Sequence, residues 1–378
     1  MKEYLDFNAT TPVRPETAEL MHHYLVNEFG NSGSRSHESG SRAKKAVLNS
    51  RQQIAKICEV DVSEVIFTSG ATESNNLALF GLLEFAKINN KNHIISTAIE
   101  HKAVLDPLLH MEKLGFKVSF VRPTKSGHIT PEAIMQEITD QTFLVSCMHA
   151  NNETGVINDI DEISNRIKEL DSKIYFHSDC AQTFAKTSLD LSNPNIDMIS
   201  FSSHKFFGPK GIGGLIARKN AGVSIPLKPI MFGGGQERGL RPGTLPVHLI
   251  VGMGDAAEKS TESKDQWMQD CLTIKLKALE ELNDPNFIIY GTTDHSTLPN
   301  TLSISFNSHA EAVIIALKEV AEIATGSACT SESYSPSHVL TAMGLDEEAA
   351  KKVVRLSWSS NTDLTVFSKI NDAIKILN

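Results

Sequence analysis

Four short runs hold the side chains with chemistry in them. In Ser200-Phe201-Ser202-Ser203-His204-Lys205-Phe206-Phe207-Gly208-Pro209-Lys210-Gly211, Lys205 stands among hydroxyls and glycines at the end of an apolar run. An amine so placed can form a Schiff base with a carbonyl once its pKa is lowered. In Phe176-His177-Ser178-Asp179-Cys180-Ala181-Gln182 an apolar run ends on an acid. A buried carboxylate is costly unless paired, and a protonated ring nitrogen is a suitable partner; the alternative is that Asp179 caps the next helix. The run Thr68-Ser69-Gly70-Ala71-Thr72-Glu73-Ser74-Asn75-Asn76 turns from a strand into a helix. Gly70 permits the tight turn, and the N–H groups of Gly70, Ala71 and Thr72 with the Thr72 hydroxyl would cradle a phosphate, unless the run is an ordinary Ser/Thr cap. The fourth run, Ala324-Thr325-Gly326-Ser327-Ala328-Cys329-Thr330-Ser331-Glu332-Ser333, sets Cys329 among small residues that would let a nucleophilic thiolate swing. A lone loop lysine is usually solvated. Lys205 stands out because of the company it keeps.

The elements that must position these groups are legible in outline. Apolar runs at Glu64–Thr68, His93–Thr97, Lys117–Arg122, Thr142–His149, Lys173–His177, Met198–Ser202 and Gly214–Arg218 read as strands. Amphipathic stretches such as Ser74–Ile88, Lys102–Leu114, Pro131–Ile138 and Ile160–Leu170 read as helices between them. This alternation predicts βαβ units around a mainly parallel, buried sheet that binds ligands at its strand ends. Gly211-Ile212-Gly213-Gly214 is too short for a crossover helix, so the last strand is expected to run antiparallel. Beyond a Gly/Pro-rich stretch at Phe232–Pro246, Val251–Leu282 reads as one long helical segment, and the remainder as a smaller α+β unit. The expected division is a large domain over 15–255 and a small one from 1–14 with 256–378, the latter carrying the Cys329 loop.

Bulk composition narrows the class. The chain has 378 residues, 40% apolar and 21% charged, as in an ordinary globular enzyme. No apolar stretch approaches the roughly 20 residues of a membrane span, and acids stand in Met1-Lys2-Glu3-Tyr4-Leu5-Asp6 where a signal peptide would be apolar; a cytoplasmic address is expected. Five scattered cysteines show no metal-ligand spacing and suit reduced thiols, with Cys58, Cys147 and Cys271 reading as small core residues. A net charge of −9 without a basic run disfavours direct nucleic-acid binding.

Together the Lys205, Thr68–Asn76 and Gly326-Ser327-Ala328-Cys329-Thr330-Ser331 runs resemble the cysteine desulfurases, within the class V aminotransferase branch of fold-type I pyridoxal enzymes. The likeness extends from Tyr4-Leu5-Asp6-Phe7-Asn8-Ala9-Thr10-Thr11-Pro12 to about Ser357. It implies an α/β, fold-type I transferase with a mainly parallel seven-stranded sheet and a smaller α+β domain. It also implies L-cysteine as substrate and pyridoxal 5'-phosphate carried by Lys205. Asp179 would face the pyridine nitrogen, Gln182 the ring hydroxyl, and His101 would stack on the ring and assist proton transfers. Thr72, Ser202 and His204 would hold the phosphate, with Thr244 reaching it from the neighbouring subunit of a homodimer. Asn152 and Arg355 would anchor the substrate carboxylate beside the cofactor. Cys329 would take the sulfur as a persulfide and pass it to an acceptor protein.

Two departures accompany the likeness. Cys180 stands where relatives usually have alanine, and Ser357-Trp358-Ser359-Ser360-Asn361 replaces the common Ser-Leu-Gly-Arg-Phe. The C-terminal tail by which housekeeping iron–sulfur desulfurases dock a scaffold has no obvious equivalent. Glu28-Phe29-Gly30-Asn31-Ser32-Gly33-Ser34-Arg35-Ser36-His37 and Gly233–Thr244 are similar to desulfurases of DNA-phosphorothioation systems of the Dnd and Ssp types. A housekeeping desulfurase for iron–sulfur clusters or tRNA thiolation would share every catalytic residue. A selenocysteine lyase would need Lys205 and Asp179 but not Cys329. A non-catalytic pyridoxal-binding scaffold would be expected to have lost some of these groups.

Overall fold

Apolar runs become strands here because helices cover both of their faces. A computed structural model describes residues 2–187, 191–325 and 336–377. The chain opens with a short strand, β1 (Glu3–Tyr4). A seven-stranded sheet follows, from β2 (Val65–Thr68), β3 (His93–Thr97), β4 (Lys117–Val121), β5 (Thr142–Ser146), β6 (Tyr175–Asp179), β7 (Met198–Ser202) and β8 (Gly213–Ala217), in the order β2-β8-β7-β6-β5-β3-β4. Strands β3 to β7 run parallel, whereas β8 is antiparallel to both β7 and β2. The return from β7 passes through a single 3-10 turn, Ser203–Lys205, which leaves no room for a crossover helix. Neighbouring residues alternate between two cores: Phe67, Ile95, Val145 and Ile216 face one, and Ile66, Ile94, Leu144 and Leu215 the other. Gly213 allows a close approach. A Cβ there would lie 2.4 Å from the Phe201 carbonyl oxygen and 2.7 Å from Gly70 Cα, so β8 brings the Gly70 turn against the β7 side of the sheet.

A small hairpin, β9 (Lys219–Asn220) with β10 (Val223–Ser224), leads on towards the second sheet. There β11 (Ile288–Tyr290), β12 (Thr301–Ser305), β14 (Ala324–Thr325) and β15 (Val353–Ser357) pair antiparallel in the order β11-β12-β15-β14, while β13 (Ala321–Glu322) pairs in parallel with β1. Helices Lys264–Glu281 and Thr365–Lys375 pack on this sheet around Phe306, Trp358, Phe367 and Leu5. Trp358, one of the departures, is fully buried and donates its indole N–H to the Cys271 carbonyl at 3.0 Å.

Two helical expectations are corrected. Ser74–Ile88 is not one helix but two, Ala71–Phe80 and Leu83–Ile88. The Gly81 carbonyl accepts the Lys228 N–H at 2.9 Å, a tertiary bond that no local pattern announces. The long segment likewise divides into Val247–Glu262 and Lys264–Glu281. At the junction the Ser263 hydroxyl bonds back to the Lys259 carbonyl at 2.8 Å and competes with helix continuation. No helix among the described residues is long and apolar enough to cross a membrane.

Candidate active site

The carboxyl ends of the parallel strands surround one cavity of about 540 Å³. Gly70, Ala71 and Thr72 reach it from the turn after β2, His101 from beyond β3, Asn152 from beyond β5, and Asp179 and Gln182 from the end of β6. Ser202, His204 and Lys205 come from the end of β7 and the turn after it, and Arg355 comes from β15 of the second sheet. Thr244 is exposed and does not line this cavity. Cys329 lies outside the described residues.

Lys205 is held by the N-terminal segment. Its Nζ donates to the carbonyls of Asn8 at 2.5 Å and Ala9 at 2.9 Å. Gln182 Nε2 also donates to the Asn8 carbonyl, at 3.0 Å, which leaves Gln182 Oε1 buried without a partner. Asp179 is buried and fully oriented: Oδ1 accepts the Ala181 N–H at 2.9 Å and Oδ2 accepts Asn75 Nδ2 at 2.7 Å. The His101 side chain caps the helix Lys102–Lys113, its Nδ1 accepting the Ala103 N–H at 3.0 Å while the residue still lines the cavity. Capping and site roles are therefore compatible, and in the neutral ring the cap fixes the proton on Nε2. His204 Nδ1 lies 3.1 Å from Thr10 Oγ1, and burial with the charges of Lys205, Lys210 and Lys186 pushes it down to about 4. It is a neutral imidazole at physiological pH.

Arg355 is buried, donating to Asp6 Oδ1 at 2.5 Å and to the Asn152 carbonyl at 2.9 Å, while its Nε has no partner. The helix after Gly70 has no side-chain cap, so its first N–H groups suit an anion. Unpartnered Gln182 Oε1, an oriented Asp179, an amine and an uncapped helix start are the donor and acceptor set that a phosphorylated pyridine aldehyde needs. The residues fit that group.

Asn8, Asn75 and Asp6 were not singled out by sequence reasoning, although each lies in a run quoted for the likeness or, for Asn75, in the cradle run itself. Lys186 gave no signal at all. It is buried near the Trp267 ring, 5.6 Å from its centroid, and burial together with the charge of Lys205 pushes it down to about 7. The four described cysteines are buried, and burial raises each thiol, Cys58 to about 12. None is a ready nucleophile, Cys180 included.

Glu100 stands one residue before His101 and is fully buried. Its Oε1 accepts Thr97 Oγ1 at 2.8 Å and the Met148 N–H at 2.7 Å, and Oε2 has no partner. Burial, reinforced by Asp179 and opposed by those two donors, raises its pKa from 4.5 to about 8. A folded pKa above the unfolded one gives stability that is complete below the unfolded value and is lost as pH rises through the folded value. Glu100 therefore contributes stability that is lost between about pH 5 and pH 8, as does buried Glu153, raised to about 7. The histidines His149, His177 and His204, pushed down by burial to about 3, 4 and 4, contribute the opposite slope below about pH 6.5. Glu100→Gln, neutral throughout, should remove the Glu100 contribution, so that the midpoint of the variant rises relative to the native protein from about pH 5 to pH 8 in thermal scans; a difference that does not vary with pH would show that Glu100 is not the titrating group.

Comparison with known proteins gives the family. The aminotransferase class-V family pattern matches residues 3–364, so the chain belongs to the class V aminotransferase family. Cysteine desulfurase IscS of Rickettsia bellii is 43% identical over 377 residues, covering 99% of this chain and 90% of that relative. Among solved structures, DndA from Streptomyces lividans superposes with a TM-score of 0.82 at 44% identity, covering 94% of this chain and 99% of that one. SspA in complex with cysteine gives a TM-score of 0.82 at 36% identity, covering 94% and 98%. The chain is an enzyme of the sulfurtransferase type, a cysteine desulfurase dependent on pyridoxal phosphate.

Proposed function

We propose that the enzyme moves sulfur from L-cysteine onto Cys329 as a persulfide and then to an acceptor protein. The convergence of Lys205, Asp179, Gln182, His101 and Arg355 on one cavity supports this reading. Bound pyridoxal phosphate supplies an electron sink. Lys205 would carry it and move the substrate α-proton, and Asp179 would keep its ring nitrogen protonated. Gln182 Oε1 would accept from the ring hydroxyl, and His101 would cover the ring. Thr72, Ser202 and His204 would take the phosphate beside the Gly70-Ala71 turn. Arg355, with Asn152, would receive the substrate carboxylate through its planar fork.

The Cys329 thiolate then attacks the substrate sulfur, forming an S–S bond as the Cβ–S bond breaks. The electron pair of the broken bond stays with the carbon fragment, which is protonated and leaves as alanine. L-cysteine and an enzyme thiol give L-alanine and a persulfide, with no external oxidant. Cys329→Ser should lower alanine turnover by at least about 100-fold while the bound-cofactor absorption persists. Intact-mass measurement after L-cysteine should show one added sulfur on the native protein and none on the variant. Sulfur delivery by the variant at the native rate would overturn the role of Cys329.

The same reading makes the enzyme a cytoplasmic homodimer, with Thr244 of one copy at the phosphate of the other. It divides the chain into a large unit, 15–255, and a small one, 1–14 with 256–378, that carries Cys329. For the destination of the sulfur we infer DNA phosphorothioation, supported by the likeness to DndA and SspA and by the Glu28–His37 and Gly233–Thr244 stretches. The likeness to cysteine desulfurase IscS supports the housekeeping reading as strongly. Deleting the gene in its host separates them: the first reading expects loss of phosphorothioate from DNA, the second loss of iron–sulfur enzyme activity or thiolated tRNA.

A further inference from the structure

Glu73 joins the phosphate cradle to the loop that carries Thr244. Its Oε2 accepts the Ser69 N–H at 2.6 Å, and its Oε1 accepts Arg241 Nε at 3.0 Å. Ser69 opens the Gly70-Ala71-Thr72 turn, and Arg241 leads directly into Pro242-Gly243-Thr244. One carboxylate therefore ties both segments. The two side chains are only 20% and 14% exposed, so this pair is worth more than a solvated one.

The other end of the loop is fastened at a strain point. Glu237 and Arg238 adopt left-handed φ values of 46° and 58°, and Gly239 follows at 81°. Two such non-glycine residues in succession are unfavourable and persist only where the surroundings impose them. The Glu237 carboxylate accepts two bonds from Arg51, at 2.6 and 2.8 Å, and the Phe67 N–H at 2.9 Å. Arg51 and Arg238 both donate to the Val65 carbonyl, at 2.7 and 3.1 Å. Val65 and Phe67 belong to β2, the edge strand of the large sheet, whose outer groups would otherwise lack partners. The loop thus takes the place of a further strand. It is anchored at both ends to the strand and turn that form its own cradle, yet Thr244 at its end is exposed.

We propose that Arg241 is a positioning residue: held by Glu73, it fixes where Thr244 is presented to the phosphate of a second copy. The cradle of one subunit thereby sets part of the phosphate site of the other. This rests on the reading of Thr244 given above.

Titration of the apo dimer with pyridoxal phosphate, followed by cofactor absorbance, tests it. Thr244→Ala and Arg241→Met should each weaken binding by about tenfold, the scale of one charge-assisted bond. In the Thr244→Ala background, Arg241→Met should add less than about twofold, because its effect passes through Thr244. Apo thermal midpoints establish that the variants fold. Should Arg241→Met not fold, Arg241→Lys keeps the charge but not the guanidinium, and should show the same dependence on Thr244. A silent Thr244→Ala would overturn the reading of Thr244 itself. A weakening by Thr244→Ala with a silent or fully additive Arg241 variant would overturn only the positioning role.

Discussion

Replacing Lys205 by alanine is expected to lower alanine formation from L-cysteine by about 10⁴-fold, the joint loss of a covalent anchor and a proton carrier. The Lys205 amine sits in the turn after β7, between the carbonyls of Asn8 and Ala9, inside the cavity that also holds Asp179 and Arg355. Its removal should leave the fold intact, because the Asn8 carbonyl keeps its bond from Gln182 and Lys205 is only partly buried. Arginine should not rescue the loss. A guanidinium is always protonated and can neither condense with a carbonyl nor shuttle a proton. Rates of alanine release, measured alongside the absorption of bound cofactor, check both parts. Retention of more than about a tenth of the native rate would exclude Lys205 as the carrier.

The second large effect is expected from Asp179→Asn, a loss of about 10² to 10³-fold in kcat with a smaller change in KM. Neutralising this carboxylate removes the charge that would keep a ring nitrogen protonated. Asp179 also receives Asn75 Nδ2 at 2.7 Å and the Ala181 N–H at 2.9 Å. An amide at position 179 keeps at most one of these bonds unless Asn75 turns over. Asn75 Oδ1 has no partner, so that reversal is available and the fold should survive. The discriminating readout is spectroscopic. A structural role alone would change stability, whereas an electronic role changes the absorption of bound cofactor at unchanged thermal midpoint. Asp179→Glu should recover less than full activity, since a longer side chain cannot keep both bonds and the same position.

Much of the site was legible before any tertiary contact was known. Lys205, Asp179 and the Gly70-Ala71-Thr72 turn are side-chain types with definite chemistry, placed at the ends of apolar runs. Strand-end placement is a local property, written in periodicity and turn residues. The antiparallel course of β8 was legible for the same reason, since a short glycine-rich connection excludes a crossover helix. Cys329, which lies outside the described residues, is proposed from small neighbours and a motif, which are also local.

What escaped depends on residues far apart in the chain. Asn8 holds Lys205 across a separation of 197 residues, and Asp6 meets Arg355 across 349. No periodicity encodes such pairs, because they exist only once the N-terminal segment lies across the sheet. The break at Gly81 is similar: its carbonyl is taken by Lys228, and a helical pattern that continues past it has no means of registering the competitor. The sequence by itself determined the reaction class and proposed the residues that carry it. Tertiary structure alone decided how they are held: by backbone carbonyls on the Lys205 amine, by Asn75 on Asp179, and by Glu73 between the cradle and the loop leading to Thr244. Reactivity belongs to side-chain chemistry, whereas orientation and desolvation come from neighbours that only folding supplies.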